Sequence, residues 1–211
     1  LTSATSLENI PDFLPFSSYE KVDFLKEDEV LTLLLQIVRT SSVEKTDTLM
    51  RLVANFGQES TLVFCNHRDA VDRISLLLTD YGFEHVVLHG GMEQIDREKN
   101  LIKFRSGTHH LLISTDLASR GLDIPEIKHI VHYQLPPKKN AFIHRNGRTA
   151  RMMAEGQSYL VLAHDESLPD YVDSNLPEYE PPLEFKVPEP SPLACIYISV
   201  GKKNKISRGD V

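Results

Sequence analysis

Apolar residues in this chain alternate between short continuous runs and longer stretches where they recur every three or four positions. Periodicity alone cannot divide residues 31–38, a nearly unbroken apolar run, between strand and helix; Ser41 and Ser42 stop it early, which favours a strand. Leu49, Leu52, Val53 and Phe56 then recur at helical spacing, with Gly57 placed to cap the helix end. A buried strand is predicted at residues 62–65, followed by an amphipathic helix carrying Ala70, Ile74, Leu77, Leu78 and Tyr81 that stops at Gly82. Residues 85–88 read as a strand, and Ile95, Leu101, Ile102 and Phe104 as a helix closing at Gly107. Further strands are predicted at residues 111–113, 127–133 and 158–162. This alternation predicts an α/β fold: a parallel sheet with helices on both faces and right-handed crossovers. No internal repeat is present at the sequence level.

Past Asp173 the pattern changes. Pro177, Pro181, Pro182, Pro188, Pro190 and Pro192 sit among glutamates, which reads as an extended linker. The alternation over residues 194–199 then predicts a strand. This tail buries little apolar surface of its own, so it is expected either to be mobile or to be ordered by packing on its own or a neighbouring domain.

Composition narrows the class. The chain has 211 residues, 41% hydrophobic and 25% charged, which is ordinary for a globular protein with a sizeable core. No apolar run is long enough to cross a bilayer, and the amino terminus lacks a basic region followed by an apolar core; the expectation is a cytoplasmic protein without a membrane partner. Cys65 and Cys195 are far apart and form no CxxC, so reduced thiols are expected. His85 with His89, or His129 with His132, invite a metal reading, but no acidic or thiol partner has ligand spacing and no metal site is assigned. The net charge of −7 is uneven: residues 61–151 carry 13 Lys or Arg against 10 Asp or Glu, whereas residues 165–189 carry eight acids and one lysine. A local basic groove remains compatible with the acidic total.

Residues 111–151 hold the densest chemistry. The run Leu111, Leu112, Ile113 empties into Ser114, Thr115 and Asp116, polar groups at a strand's carboxyl end, the edge where open α/β sheets seat ligands. Arg145, Arg148 and Arg151, spaced by three around Gly147, would share a face on one helical turn, and clustered guanidiniums suit phosphate oxygens. The bland reading of that spacing is a solvated arginine face. Gly90 and Gly91 are by themselves a turn, and Gln94 and Arg97 are by themselves first-turn helix surface.

Together, residues 114–125 (STDLASRGLDIP) and 144–151 (HRNGRTAR) resemble two sequential motifs of DEAD-box RNA helicases. Residues 64–68 (FCNHR), 89–91 (HGG) and 94–97 (QIDR) resemble three more, and residues 3–5 (SAT) resemble the motif that closes the family's first domain. The resemblance covers about residues 1–162 and implies a RecA-like, doubly wound parallel sheet. It divides the chain into residues 1–28, a remnant of a first helicase domain and a linker; 29–173, a second RecA-like domain; and 174–211, a linker leading into the start of a small RNA-binding domain. By the family's pattern, Asn66, Arg68, Gly91, Arg97, Thr115 and Gly121 face RNA phosphates and riboses. Asp123 accepts from the ATP ribose, Arg148 and Arg151 reach the γ-phosphate as catalytic groups, and Ser3, Thr5, Asp116, Arg120, His144 and Arg145 couple the two sites. Asn146 and Ala150 depart from the family's usual aliphatic residue and glycine, a matter of local packing more than of chemistry. No GxxxxGK[ST] and no Asp-Glu-Ala-Asp occurs, so ATP and Mg2+ are expected to be held mainly by a first RecA-like domain, and the chain alone is expected to be inactive. The implied activity is that of an ATP-dependent RNA helicase. A non-catalytic RNA-binding or scaffold module, or a DNA helicase or translocase of the same superfamily, are the alternatives.

Overall fold

The computed structural model describes residues 33–40, 45–116, 127–149 and 156–198. Among them, six strands and four helices follow in the order β1 (Leu33–Arg39), α1 (Thr46–Phe56), β2 (Thr61–Cys65), α2 (Arg68–Asp80), β3 (Val86–Leu88), α3 (Gln94–Arg105), β4 (Leu111–Thr115), β5 (His129–His132), α4 (Lys139–Asn146) and β6 (Gly156–Leu162). They form one sheet in the order β1-β6-β5-β2-β4-β3, every pair parallel, with Cys65 opposite Thr115 and Phe64 opposite both Ser114 and His132. Because all strands point one way, their carboxyl ends share one edge, and the loops that leave them are neighbours.

Alternation along each strand divides the interior into two layers. Val63, Cys65, Ile113, Val131 and Val161 face Leu49, Leu52, Val53 and Phe56 of α1 and Ile74 and Leu78 of α2. Leu62, Phe64, Leu112 and Ile130 face the opposite way, toward Phe104 of α3. On that second side the ring of His132 meets Phe142 of α4, centroids 4.9 Å apart. β2 and β4 are buried at every residue, as expected for central strands covered on both faces. Gly57, Gly82 and Gly107 end α1, α2 and α3 at positive φ (61°, 80° and 72°), where a Cβ is strained.

Two expectations need correction. Arg145 and Arg148 do not share a helical face: α4 ends at Asn146, Gly147 caps it, and Arg145 lies inside the helix with only 1% of its surface exposed, whereas Arg148 follows the cap half-buried; Arg151 lies outside the described residues. No strand forms over residues 194–198, which are exposed; residue 199 lies outside the described residues.

The segment after β6 packs on its own domain. Ile37 donates to the Pro177 carbonyl at 2.9 Å and accepts from Tyr179 N–H at 2.7 Å, so the chain lies along the edge of β1. Asn55 donates to the Tyr179 hydroxyl, Gln58 to the carbonyls of Glu189 and Pro190, and the Ser191 hydroxyl to the Gly107 carbonyl. Tyr179, Phe185 and Val187 add apolar surface to the first layer. From Pro177 onward the segment therefore runs to the amino-terminal edge of the sheet, away from the loops that carry the candidate chemistry.

Candidate functional site

The carboxyl edge gathers most of the residues singled out from sequence. β2 leads into Asn66 and Arg68, β3 into Gly91, and β4 ends at Thr115 and Asp116. Arg68 opens α2, and its side chain is 68% exposed. A Cβ on Gly91 would stand 3.4 Å from Arg68 Nη1 and 3.2 Å from His89 Nδ1, so the guanidinium passes close over a backbone that lacks a side chain. Gly91 N–H donates to His89 Nδ1 at 3.2 Å, and His89 Nε2 lies 3.1 Å from Asp72. That leaves Nδ1 as acceptor and fixes the ring orientation. Arg97, on the first turn of α3, is half-buried; it reaches Gln94 at 3.4 Å while its Nε has no hydrogen-bond partner. α2 and α3 also present their amino ends here, where free N–H groups and the helix dipole favour anions. Thr115 is buried, at 8% exposure.

Arg145 is the anchor of the edge. Its Nε and Nη2 grip the two oxygens of Asp116 at 2.6 and 2.9 Å, Nη1 donates to the Gln134 carbonyl at 2.7 Å, and Nη2 donates to Asn66 Oδ1 at 2.7 Å. The guanidinium plane lies 4.9 Å over the Phe64 ring. A buried arginine is tolerable only when its charge is paired and its donors are satisfied, and here both hold. The Asn66 side chain is turned inward, donating through Nδ2 to the Leu135 carbonyl at 2.9 Å. His144 is exposed on α4, and the Arg148 carbonyl accepts from Ile127 N–H at 3.4 Å. Ser3, Thr5, Arg120, Gly121, Asp123 and Arg151 lie outside the described residues.

Behind α4, burial and the neighbouring Arg145 push the His132 ring down to about 3; its Nε2 pairs with Asn146 Oδ1 at 3.0 Å, which also accepts from Ser158. The family's aliphatic position is thus filled by an amide whose oxygen pairs with two polar side chains. Burial pushes the Cys65 thiol up to about 12, so it is a packing group and not a nucleophile. Among the described residues no His, Cys, Asp and Glu group is arranged to hold a metal ion.

Sequence reasoning missed Lys45 and Gln134. Lys45 is 6% exposed at the amino end of α1, where the dipole disfavours a cation, yet its ammonium donates to the carbonyls of Tyr133 (3.0 Å) and Val161 (2.9 Å) and pairs with Glu166. Burial lowers its pKa, opposed by Glu166. Nothing in the sequence distinguishes it from a solvated lysine. Gln134 did carry a signal, being a polar residue just past an apolar run, as Asp116 is.

An all-parallel sheet whose carboxyl edge carries these arginines and glycines defines a RecA-like α/β domain. The profile of the helicase conserved C-terminal domain matches residues 44–153. The chain belongs to that family and is the C-terminal helicase domain of a DEAD-box protein. The ATP-dependent RNA helicase DbpA of Escherichia coli is 32% identical over 182 residues, covering 83% of this chain and 40% of that protein. The E. coli DEAD-box protein SrmB, solved bound to regulator of ribonuclease activity A, superposes with a TM-score of 0.62 at 25% identity, covering 75% of this chain and 98% of that one. S. cerevisiae Dbp5, solved bound to RNA and ADP BeF3, superposes at 0.57 and 27% identity over 63% of this chain and 36% of that one. The chain spans 15 to 40% of the length of the curated relatives it matches.

Proposed function

We propose that this domain serves as the second half of an ATP-dependent RNA helicase. The observation that carries the reading is the carboxyl edge itself, where Arg68, Gly91 and Arg97 stand beside two helix amino ends. Such an edge takes the phosphates of a single RNA strand, with Thr115 along the same track and Asn66 setting the loop from beneath; Gly121 is proposed to contact the same strand. Backbone contact of this kind reads the polymer more than its sequence. Arg97, on the first turn of α3, would offer its guanidinium to a phosphate oxygen.

Arg148 lies just beyond α4, with its backbone fastened to Ile127, and together with Arg151 it is suited to reach the γ-phosphate of an ATP held by a first RecA-like domain with its Mg2+. Asp123 would accept from the ribose. ATP, when bound, supplies the phosphoryl group that is transferred to water; the arginines neutralise charge that grows on it in the transition state. Arg145 and Asp116, with Arg120, His144, Ser3 and Thr5, would carry coupling between the two ligands. Both ligands bridge the same pair of domains, so each favours closure by its differential affinity.

In a protein joining this domain to a first helicase domain, Arg148→Ala should lower RNA-stimulated ATP hydrolysis by about 10³, because an arginine finger acts mainly in the transition state. RNA affinity without nucleotide should barely change. Arg97→Ala should do the reverse, weakening RNA binding alike for all sequences and reducing its salt dependence by about one phosphate contact. Retention of most turnover in the first variant would sink the arginine-finger role, and a loss of affinity confined to certain sequences in the second would replace phosphate contact with base reading.

A further inference from the structure

The loop from β5 into α4 is gripped at each of its first four residues. Four consecutive carbonyls accept side chains from four different places: Tyr133 from Lys45 at 3.0 Å, Gln134 from Arg145 at 2.7 Å, Leu135 from Asn66 at 2.9 Å, and Pro136 from the Tyr171 hydroxyl. A backbone held this way cannot slide without breaking several bonds together.

Gln134 also reaches back. Its Oε1 accepts the Asn66 backbone N–H at 2.9 Å, and its own N–H donates to the Phe64 carbonyl at 3.2 Å. The two residues clamp each other: the Asn66 side chain takes the Leu135 carbonyl, and the Gln134 side chain takes the Asn66 amide. Asn66 is the first residue past β2, and two residues later Arg68 opens α2 beside Gly91. A shift of the Asn66 backbone therefore moves the exposed guanidinium. Unlike Asn66, Gln134 leaves Arg145 alone with its side chain, so its amide can be changed without removing a partner from the buried charge pair.

We propose that Gln134 is a positioning residue for the phosphate-facing loop, holding the Asn66 backbone so that Arg68 stands over Gly91. Its purpose rests on the RNA reading above, whereas its geometry does not. The bond to Asn66 is made by the domain's own side chains, so a ligand does not have to supply it.

The test uses the 211-residue chain, with amide exchange at Asn66, melting temperature, and NMR titration with an oligouridylate followed at Arg68 and Gly91. Gln134→Ala should speed exchange at Asn66 about tenfold and weaken RNA about three- to tenfold, the effect of one neutral hydrogen bond. Gln134→Glu keeps an acceptor oxygen at the same reach and should restore slow exchange and most of the affinity. Two failures are distinguishable. Absence of RNA shifts in the unmutated chain overturns the RNA reading, and the positioning purpose with it; shifts in the unmutated chain with unchanged exchange or affinity in Gln134→Ala overturn the role of Gln134 alone. Loss of affinity that tracks melting temperature equally in both variants assigns Gln134 to bulk stability and likewise overturns it.

Discussion

Arg145 and His132 show how burial decides what a side chain does at this edge. The His132 ring is fully buried and stays neutral, its pKa pushed from 6.5 to about 3 by burial first and the Arg145 charge second. The folded state thus binds fewer protons at this ring than the unfolded chain does. Stability from this source is complete above pH 6.5 and is lost as pH falls toward 3. From pH 6.5 to about 4.5 the loss from His132 alone is on the order of 2 to 3 kcal/mol. Urea midpoints measured across that range should fall steeply in the wild type and less steeply in His132→Asn, and an unchanged slope would show that the ring is not the acid-sensitive group. The slope should not vanish, because burial also depresses His129, His85 and His109. Asp116 and Arg68 could be picked out from sequence because each is polar at the end of an apolar run. Arg145 could not be separated from Arg148 that way: identical residues at one spacing differ only in whether a cap intervenes, and Gly147 intervenes between them.

At the scale of elements, the apolar pattern placed all six strands and the three longer helices near their observed positions, with β3 and β5 slightly shorter than expected. It succeeded where a segment buries one continuous face. It failed for α4, eight residues with Phe142, Arg145 and Asn146 buried, too short and too polar inside to show a period. It failed again at residues 194–198, which alternate in sequence but pair with no strand among the described residues. Glycines proved the more reliable marks. Gly82 stops α2 at φ 80° with no atom within 4 Å of where a Cβ would stand, so a side chain there meets strain and no clash. Gly82→Ala should destabilise the domain by about 1 to 2 kcal/mol, with Gly82→Asn milder because asparagine tolerates the left-handed region. Denaturant unfolding decides it, and an alanine variant as stable as the wild type would refute backbone strain at this stop.

Across the whole molecule, the proline-rich half of the acidic stretch lies away from the carboxyl edge, whereas Glu166 in its first half pairs with Lys45. Residues 177–193 run from β1 past α1 to Gly107, on the amino-terminal side of the sheet, while the arginines and glycines occupy the carboxyl side. Composition read this segment as a proline-rich spacer; its packing depends on three apolar side chains that a count of prolines and glutamates does not weigh. Phe185 meets Phe83 with ring centroids 6.0 Å apart, and Tyr179 stacks edge-on against Tyr159 at 5.4 Å. The polar contacts are mostly exposed, among them the 2.7 Å Arg39 to Glu178 pair, and exposed pairs contribute little. If the apolar anchors hold the segment, Phe185→Ala should lower stability by about 1 to 3 kcal/mol, less than a full core truncation because the ring is only partly covered. Leu183→Ala, at a residue 78% exposed in the same stretch, should stay within about 0.5 kcal/mol. Amide exchange separates local from global loss: the Tyr179 N–H bonded to Ile37 should exchange faster in Phe185→Ala while the amides of β2 and β4 keep the protection set by global unfolding. Equal, small effects of both substitutions would show that hydrogen bonds, and not the aromatic anchors, fasten this segment to the helicase domain.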